Sequence, residues 1–233
     1  MTTYLNSKYN AENTEQLDNS TNVKDIHQFQ LILLGDIAVG KSAILKRFVD
    51  DDFTSDYFCT VGVEFNIKTI QLSDSSFADL KIWDTCGEEK YRTITRQYYT
   101  NCDGVVLVFD LTNKISFTKL DSWIEDIANN APEDVGIIIV GNKKDLKDSI
   151  EVDQNMISEY FKKHNELNYV EVSALTGEGV GKVFEEISKE LIKKKKNRVQ
   201  NIESDNLEDI KHYNLEKANI NNNNTNVKKG GCC

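Results

Sequence analysis

Three short stretches carry side chains whose types and spacing could handle a phosphorylated ligand. GDIAVGKS, residues 35 to 42, frames four residues with glycines and follows them with Lys and Ser. Gly35 and Gly40 let the backbone wrap closely, so that the amides of Asp36, Ile37, Ala38, Val39 and on into Ala43 can point at phosphate oxygens. Lys41 can reach the terminal phosphates, and the Ser42 hydroxyl can ligate Mg2+. NKKD, residues 142 to 145, offers an amide, a long stem and a carboxylate. WDTCGEEKY, residues 83 to 91, sets Asp84 three residues ahead of Gly87 and follows that glycine with Glu88 and Glu89.

The NKKD set reads as a base site. Asn142 and Asp145 are spaced so that both can face one ligand edge. A carboxylate accepts from a guanine N1–H and its 2-amino group. Adenine lacks both donors and would leave a buried Asp unpaired, which can discriminate by about 10⁴-fold. The Lys143 stem can cover the base face. Alone, such a tetrapeptide is usually a polar turn. Its place after the run GIIIV, downstream of a phosphate loop, favours the guanine reading.

These loops need elements to hold them. Candidate strands are residues 29–34, 63–72, 77–84, 104–110, 136–142 and 168–174, several of them continuous apolar runs as strands buried on both faces should be. Helical patterns lie between them at 40–50, 116–130, 154–164 and 181–196, the last with Val183, Phe184, Ile187, Leu191 and Ile192 on one face. The fold class is therefore α/β. A doubly wound, mostly parallel six-stranded sheet is expected, with helices on both faces. SDSS between the second and third strands reads as a hairpin and supplies one antiparallel edge strand. Ligands bind such sheets beyond the carboxyl ends of the strands.

Composition sets the outer limits. Three zones are expected: a polar, disordered extension over 1–26, one domain over 27–195, and a flexible tail over 196–233. The first twenty residues lack the apolar core of a secretory signal, and the longest apolar runs are far too short to span a bilayer. Net charge is −10, which argues against nucleic-acid binding. From Lys193 onward nine Lys or Arg outnumber five Asp or Glu. The tail, not the acidic body, is thus suited to an anionic surface. Cys59, Cys86 and Cys102 show no metal spacing and read as reduced, packed thiols.

With the phosphate and base motifs placed, the chain resembles the small GTPases of the Ras superfamily, a P-loop NTPase fold, and most closely the Rab family. The resemblance spans about residues 28–195 and rests on GDIAVGKS, TVGVEF, KIWDTCGEEKYRTIT, QYY, GNKKD and SAL in that order. It implies that Thr60 ligates Mg2+ and senses the γ-phosphate, that Asp84 holds Mg2+ through water, and that the Gly87 amide reaches the γ-phosphate. Phe53 would lie against the guanine, Tyr57 would join the nucleotide contacts, and Ser173, Ala174 and Leu175 would complete the base pocket. Two loops, around 53–65 and 84–98, would be ordered by γ-phosphate and Mg2+ and released on hydrolysis.

The resemblance also implies partners: effectors at the switch loops, an exchange factor, a GTPase-activating protein, and escort and dissociation-inhibitor proteins. A monomer is expected. The terminal Cys232 and Cys233 resemble a double-prenylation signal, with Lys228 and Lys229 adding attraction to anionic lipid. The tail would then be a tether with a reach of roughly 33 Å. The expected place is the cytoplasmic face of an endomembrane, with a cytosolic pool, and the expected role is a switch of vesicle traffic. KKKK at 193–196 could be another lipid contact or a solvated helix end.

Glu88 departs from the family, which has a water-positioning glutamine there. Cys86 replaces an alanine, Ile37 stands where a small residue is usual, and Leu175 where Lys is common. An ionised Glu only accepts hydrogen bonds. Beside a triphosphate at about 5 Å and an effective dielectric near 20, its charge costs roughly 3 kcal/mol. If most of that fell on the transition state, hydrolysis would slow by about a hundredfold. As candidate catalytic residues, Glu88, Lys41 and Thr60 therefore imply a slow GTPase. The alternatives are a GTP-locked scaffold, disabled by Glu88 and Ile37, and a working enzyme in which Glu88 serves as base or pairs with a partner's arginine.

Overall fold

The computed structural model describes residues 26–54, 60, 63–72, 76–87 and 96–198. The extension over 1–25, Tyr57, Cys59, Glu88, most of both switch loops, all but the last residue of the SDSS turn, and the tail with Cys232 and Cys233 lie outside the described residues.

Six strands form one sheet: β1 (Ile26–Leu34), β2 (Val63–Gln71), β3 (Phe77–Thr85), β4 (Gly104–Asp110), β5 (Gly136–Asn142) and β6 (Asn168–Glu171). Their order is β2-β3-β1-β4-β5-β6. Only β2 runs antiparallel, paired with β3 from Val63 opposite Thr85 to Gln71 opposite Phe77. The mostly parallel body is as the apolar runs predicted, and the antiparallel edge strand is as the SDSS hairpin predicted. β1 starts three residues before its apolar run, because Ile26, His27 and Gln28 extend the parallel ladder with Phe77, Ala78 and Asp79. β6 stops at Glu171, short of 174. The chain then turns, with Ser173 N–H donating to the Glu178 carbonyl, and its next residues line a loop.

The helices are α1 (Lys41–Asp50), α2 (Lys114–Thr118), α3 (Leu120–Asn130), α4 (Gln154–Lys163) and α5 (180–198). Asn113 and Asp153 cap α2 and α4 by accepting backbone N–H groups. The sheet alternation explains why the strand sequences are apolar throughout. Leu31, Leu33, Val106, Val108, Ile138 and Val140 face one core with Ile44 of α1 and Phe184 and Ile187 of α5. Ile32, Leu34, Leu107, Phe109 and Ile139 face a second core with Leu120, Trp123 and Ile127 of α3 and Ile157 of α4. Each such side chain stabilises the fold by about 1.5–3 kcal/mol. Two filled faces leave the carboxyl ends of five parallel strands as the natural place for a ligand.

Candidate functional site

A cleft of about 440 Å³ opens at that edge. The phosphate loop joins β1 to α1, Gly87 follows β3, Asn142 ends β5, and Ala174 and Leu175 follow β6. The cleft brings together Ile37, Ala38, Gly40, Lys41, Ser42, Ala43, Phe53, Thr60, Gly87, Asn142, Lys143, Asp145, Ala174 and Leu175. The other described candidates stand behind it. Val39 is buried in the core, Ser173 backs Asp145, and Gly35 and Asp36 shape the loop.

The backbone here is held where side chains do not fit. A Cβ on Gly35 would lie 2.1 Å from the Val108 carbonyl oxygen, and one on Gly40 would lie 2.3 Å from Asn142 Nδ2. Both glycines have positive φ, and so has Ala38 at 62°, a conformation that costs a non-glycine residue about 1–2 kcal/mol. Lys41 is buried, its ammonium donating to the carbonyls of Gly35 and Asp36 at 2.9 Å each. Helix α1 starts at Gly40 with no side-chain cap and no acid in its first turn. That is the electrostatic setting in which a helix N-terminus receives an anion. The loop is braced from behind, as the Asp36 carboxylate accepts from Trp123 Nε1 at 3.0 Å and pairs with Lys119 at 2.9 Å.

At the other end, Ser173 Oγ donates to Asp145 Oδ1 at 2.6 Å and also accepts the Thr176 amide. This fixes the carboxylate that sequence reading assigned to the base. Lys143 sits at φ 67° with its ammonium 2.7 Å from Asp110, so its stem is drawn along the cleft wall. Asn142 lines the cleft and also braces it. Its Nδ2 donates to the Val39 carbonyl and its Oδ1 accepts the Ala174 amide, so it ties three loops together.

Three oxygens converge between the cleft and β3. Ser42 Oγ and Thr60 Oγ1 lie 2.8 Å apart, and Asp84 Oδ2 accepts from Ser42 and, at 3.4 Å, from Thr60. Asp84 is buried, and its Oδ1 has no hydrogen-bond partner. Burial pushes its carboxyl up, against the Ser42 hydrogen bond and the Lys41 charge. Hydroxyls plus a bare carboxylate oxygen fit a hard divalent cation such as Mg2+. Among the described residues no group of three His, Cys, Asp or Glu could hold a metal by itself, so such a cation would also draw on ligand oxygens.

Sequence reading missed several residues. Lys46, Thr54, Thr85 and Leu146 also line the cleft. Arg47 on α1 donates to the carbonyls of Ala174 at 3.0 Å and Leu175 at 2.7 Å. Nothing in the sequence marks a contact between positions that far apart. Outside the cleft, Phe65, Trp83 and Tyr98 form a row of rings with centroids 4.5 and 4.8 Å apart, and Phe65 is exposed.

Comparison with known proteins adds an independent finding. The profile of the Ras family matches residues 30–193. The chain is 37% identical over 205 residues to GTP-binding protein YPT1 of Saccharomyces cerevisiae, covering 88% of this chain and 96% of that one. It is 40% identical over 164 residues to Ras-related protein Rab-1 of Theileria parva, covering 70% and 74%. It is 41% identical over 164 residues to Ras-related protein Rab-18-B of Danio rerio, covering 70% and 78%.

Proposed function

The chain belongs to the Ras family of small GTPases, in its Rab branch, and from that premise we propose a slow, membrane-tethered switch that reports the γ-phosphate of GTP. The observation that carries this reading is the cleft's polarity: a buried ammonium over the phosphate loop at one end, and Asp145, oriented by Ser173, at the other. The backbone of residues 35–43 and Lys41 would hold the phosphates. Asn142, Lys143, Asp145, Ser173, Ala174 and Leu175 would hold guanine, with Phe53 and Tyr57 closing the nucleotide face.

Ser42, Thr60 and Asp84 would hold Mg2+, which when bound neutralises phosphate charge. Gly87 would bring its amide to the γ-phosphate. Its missing side chain supports this, since a Cβ there would lie 2.5 Å from Lys41 Nζ. The ring row of Phe65, Trp83 and Tyr98 supports a partner that reads the neighbouring switch loops. An exposed aromatic ring backed by half-buried ones is what binding surfaces use. Cys232 and Cys233 would carry two prenyl groups and hold the protein at an endomembrane serving vesicle traffic. Among the described residues no helix is long and apolar enough to cross a membrane.

Slow turnover follows from Glu88, an acceptor-only carboxylate where water must be placed. It follows also from Ile37, whose branched side chain stands half-exposed at the cleft mouth. Single-turnover GTP hydrolysis tests this. Glu88→Gln should be faster than wild type by about ten- to a hundredfold. Equal rates would overturn slow turnover by Glu88. A wild type that shows no hydrolysis, even with an activating protein, would favour the GTP-locked scaffold.

A further inference from the structure

Glu64 and Asp84 are directly opposed across β2 and β3. Cross-strand neighbours project to the same face, and like charges so placed are destabilising unless something positive lies between them. Among the described residues Glu64 makes no ion pair, and its charge adds to the upward push on the Asp84 carboxyl. Asp84 is buried with Oδ1 bare. In front of it lies a second cleft of about 250 Å³, between α1 and β2. Asp50, Glu64, Asn66 and Asp84 line it, and so does Ser42, which also lines the nucleotide cleft. The two clefts therefore adjoin at Ser42 and Lys46. Asp50 is the last residue of α1, at the negative end of the helix dipole. Lys46 borders this cleft too, but its ammonium is held by Asp52 at 2.9 Å and Thr54 at 2.6 Å.

A small divalent cation dehydrates reluctantly and keeps several waters, and these waters need acceptors. With a nucleotide filling the first cleft, the second is the side from which Ser42 and Asp84 stay reachable. We propose that the α1–β2 cleft is the route by which Mg2+ reaches and leaves the oxygens of Ser42, Thr60 and Asp84, with Glu64 as the positioning residue that accepts a hydrogen bond from water in the cation's shell. This rests on the reading of those three residues as a cation site beside a nucleotide.

The test follows release of a fluorescent GDP analogue from the full chain against buffered free Mg2+, and reads the Mg2+ concentration that half-suppresses release. Glu64→Gln keeps the side-chain shape and should raise that concentration about tenfold. Asn66→Asp adds a charge to the same cleft and should lower it. Both variants should leave release in EDTA unchanged. The same half-effect concentration in all three proteins overturns the proposal, and so does a change in EDTA-limited release as large as the change in Mg2+ response, which marks a structural role. Release from wild type that ignores Mg2+ overturns the underlying cation site instead.

Discussion

Asn142 donates from Nδ2 to the Val39 carbonyl at 2.9 Å, across 103 residues of sequence, and so joins the end of the base strand to the phosphate loop. Its Oδ1 accepts the Ala174 amide at 3.1 Å. Both partners are buried, so truncating the side chain strands two polar groups at about 1–3 kcal/mol each. Asn142→Ala should therefore raise the nucleotide dissociation rate by about a hundredfold while leaving the preference for guanine over adenine. Stopped-flow displacement of a fluorescent GDP analogue measures both.

Arg47 plays the same part from α1. Its Nε and Nη2 donate to the carbonyls of Ala174 and Leu175. Arg47→Ala should speed dissociation by about tenfold, from the loss of two hydrogen bonds to a loop that touches the base. Arg47→Lys should rescue little, because a point-like ammonium cannot span two carbonyls as a planar fork does.

Gly87 separates sensing from binding. An ideal Cβ would lie 2.5 Å from Lys41 Nζ and 2.5 Å from the Asp36 carbonyl. Gly87→Ala should keep GDP but weaken GTP by about tenfold or more, and it should abolish the difference in Trp83 fluorescence between the two complexes. A variant that still changes fluorescence with GTP would show that the loop senses the γ-phosphate by another group.

The fold was readable because its signals are local. Unbroken runs such as GVVLVFD and GIIIVGN mark strands buried on two sides, and Val105 through Phe109 do divide between two cores. The phosphate loop was readable because glycines at 35 and 40 are demanded by close backbone approach. What the sequence hid is pairwise and distant. The spacing of NKKD brings Asn142 to the cleft, whereas its brace to Val39 depends on β1 and β5 flanking β4 in the sheet. Arg47 and the Glu64–Asp84 opposition are hidden for the same reason, since each depends on packing or register that only the assembled sheet defines.

Burial also sets a pH dependence. It pushes the Cys102 thiol up from 9.0 to about 12, with the Asp103 charge adding to it. Burial, with nearby Asp121 and Glu171, also raises the Tyr160 and Tyr169 phenols. Raised values mean that the folded chain keeps protons the unfolded chain releases. Stability is thus fully present below about pH 9 and is lost as pH rises through the window up to about 12. Cys102 should remove at most about 1.4 kcal/mol per pH unit there, and the two tyrosines steepen the fall only above about pH 10. Urea midpoints should be flat from about pH 7 to 8.5 and fall above it, and Cys102→Ala should shallow the fall.

A guanine nucleotide held between Lys41 and Asp145 should stay with the protein through purification. The most direct measurement is the identity of the nucleotide released by acid from the purified full-length chain. GDP or GTP at close to one per protein is expected, and an adenine nucleotide at that stoichiometry would overturn the guanine assignment.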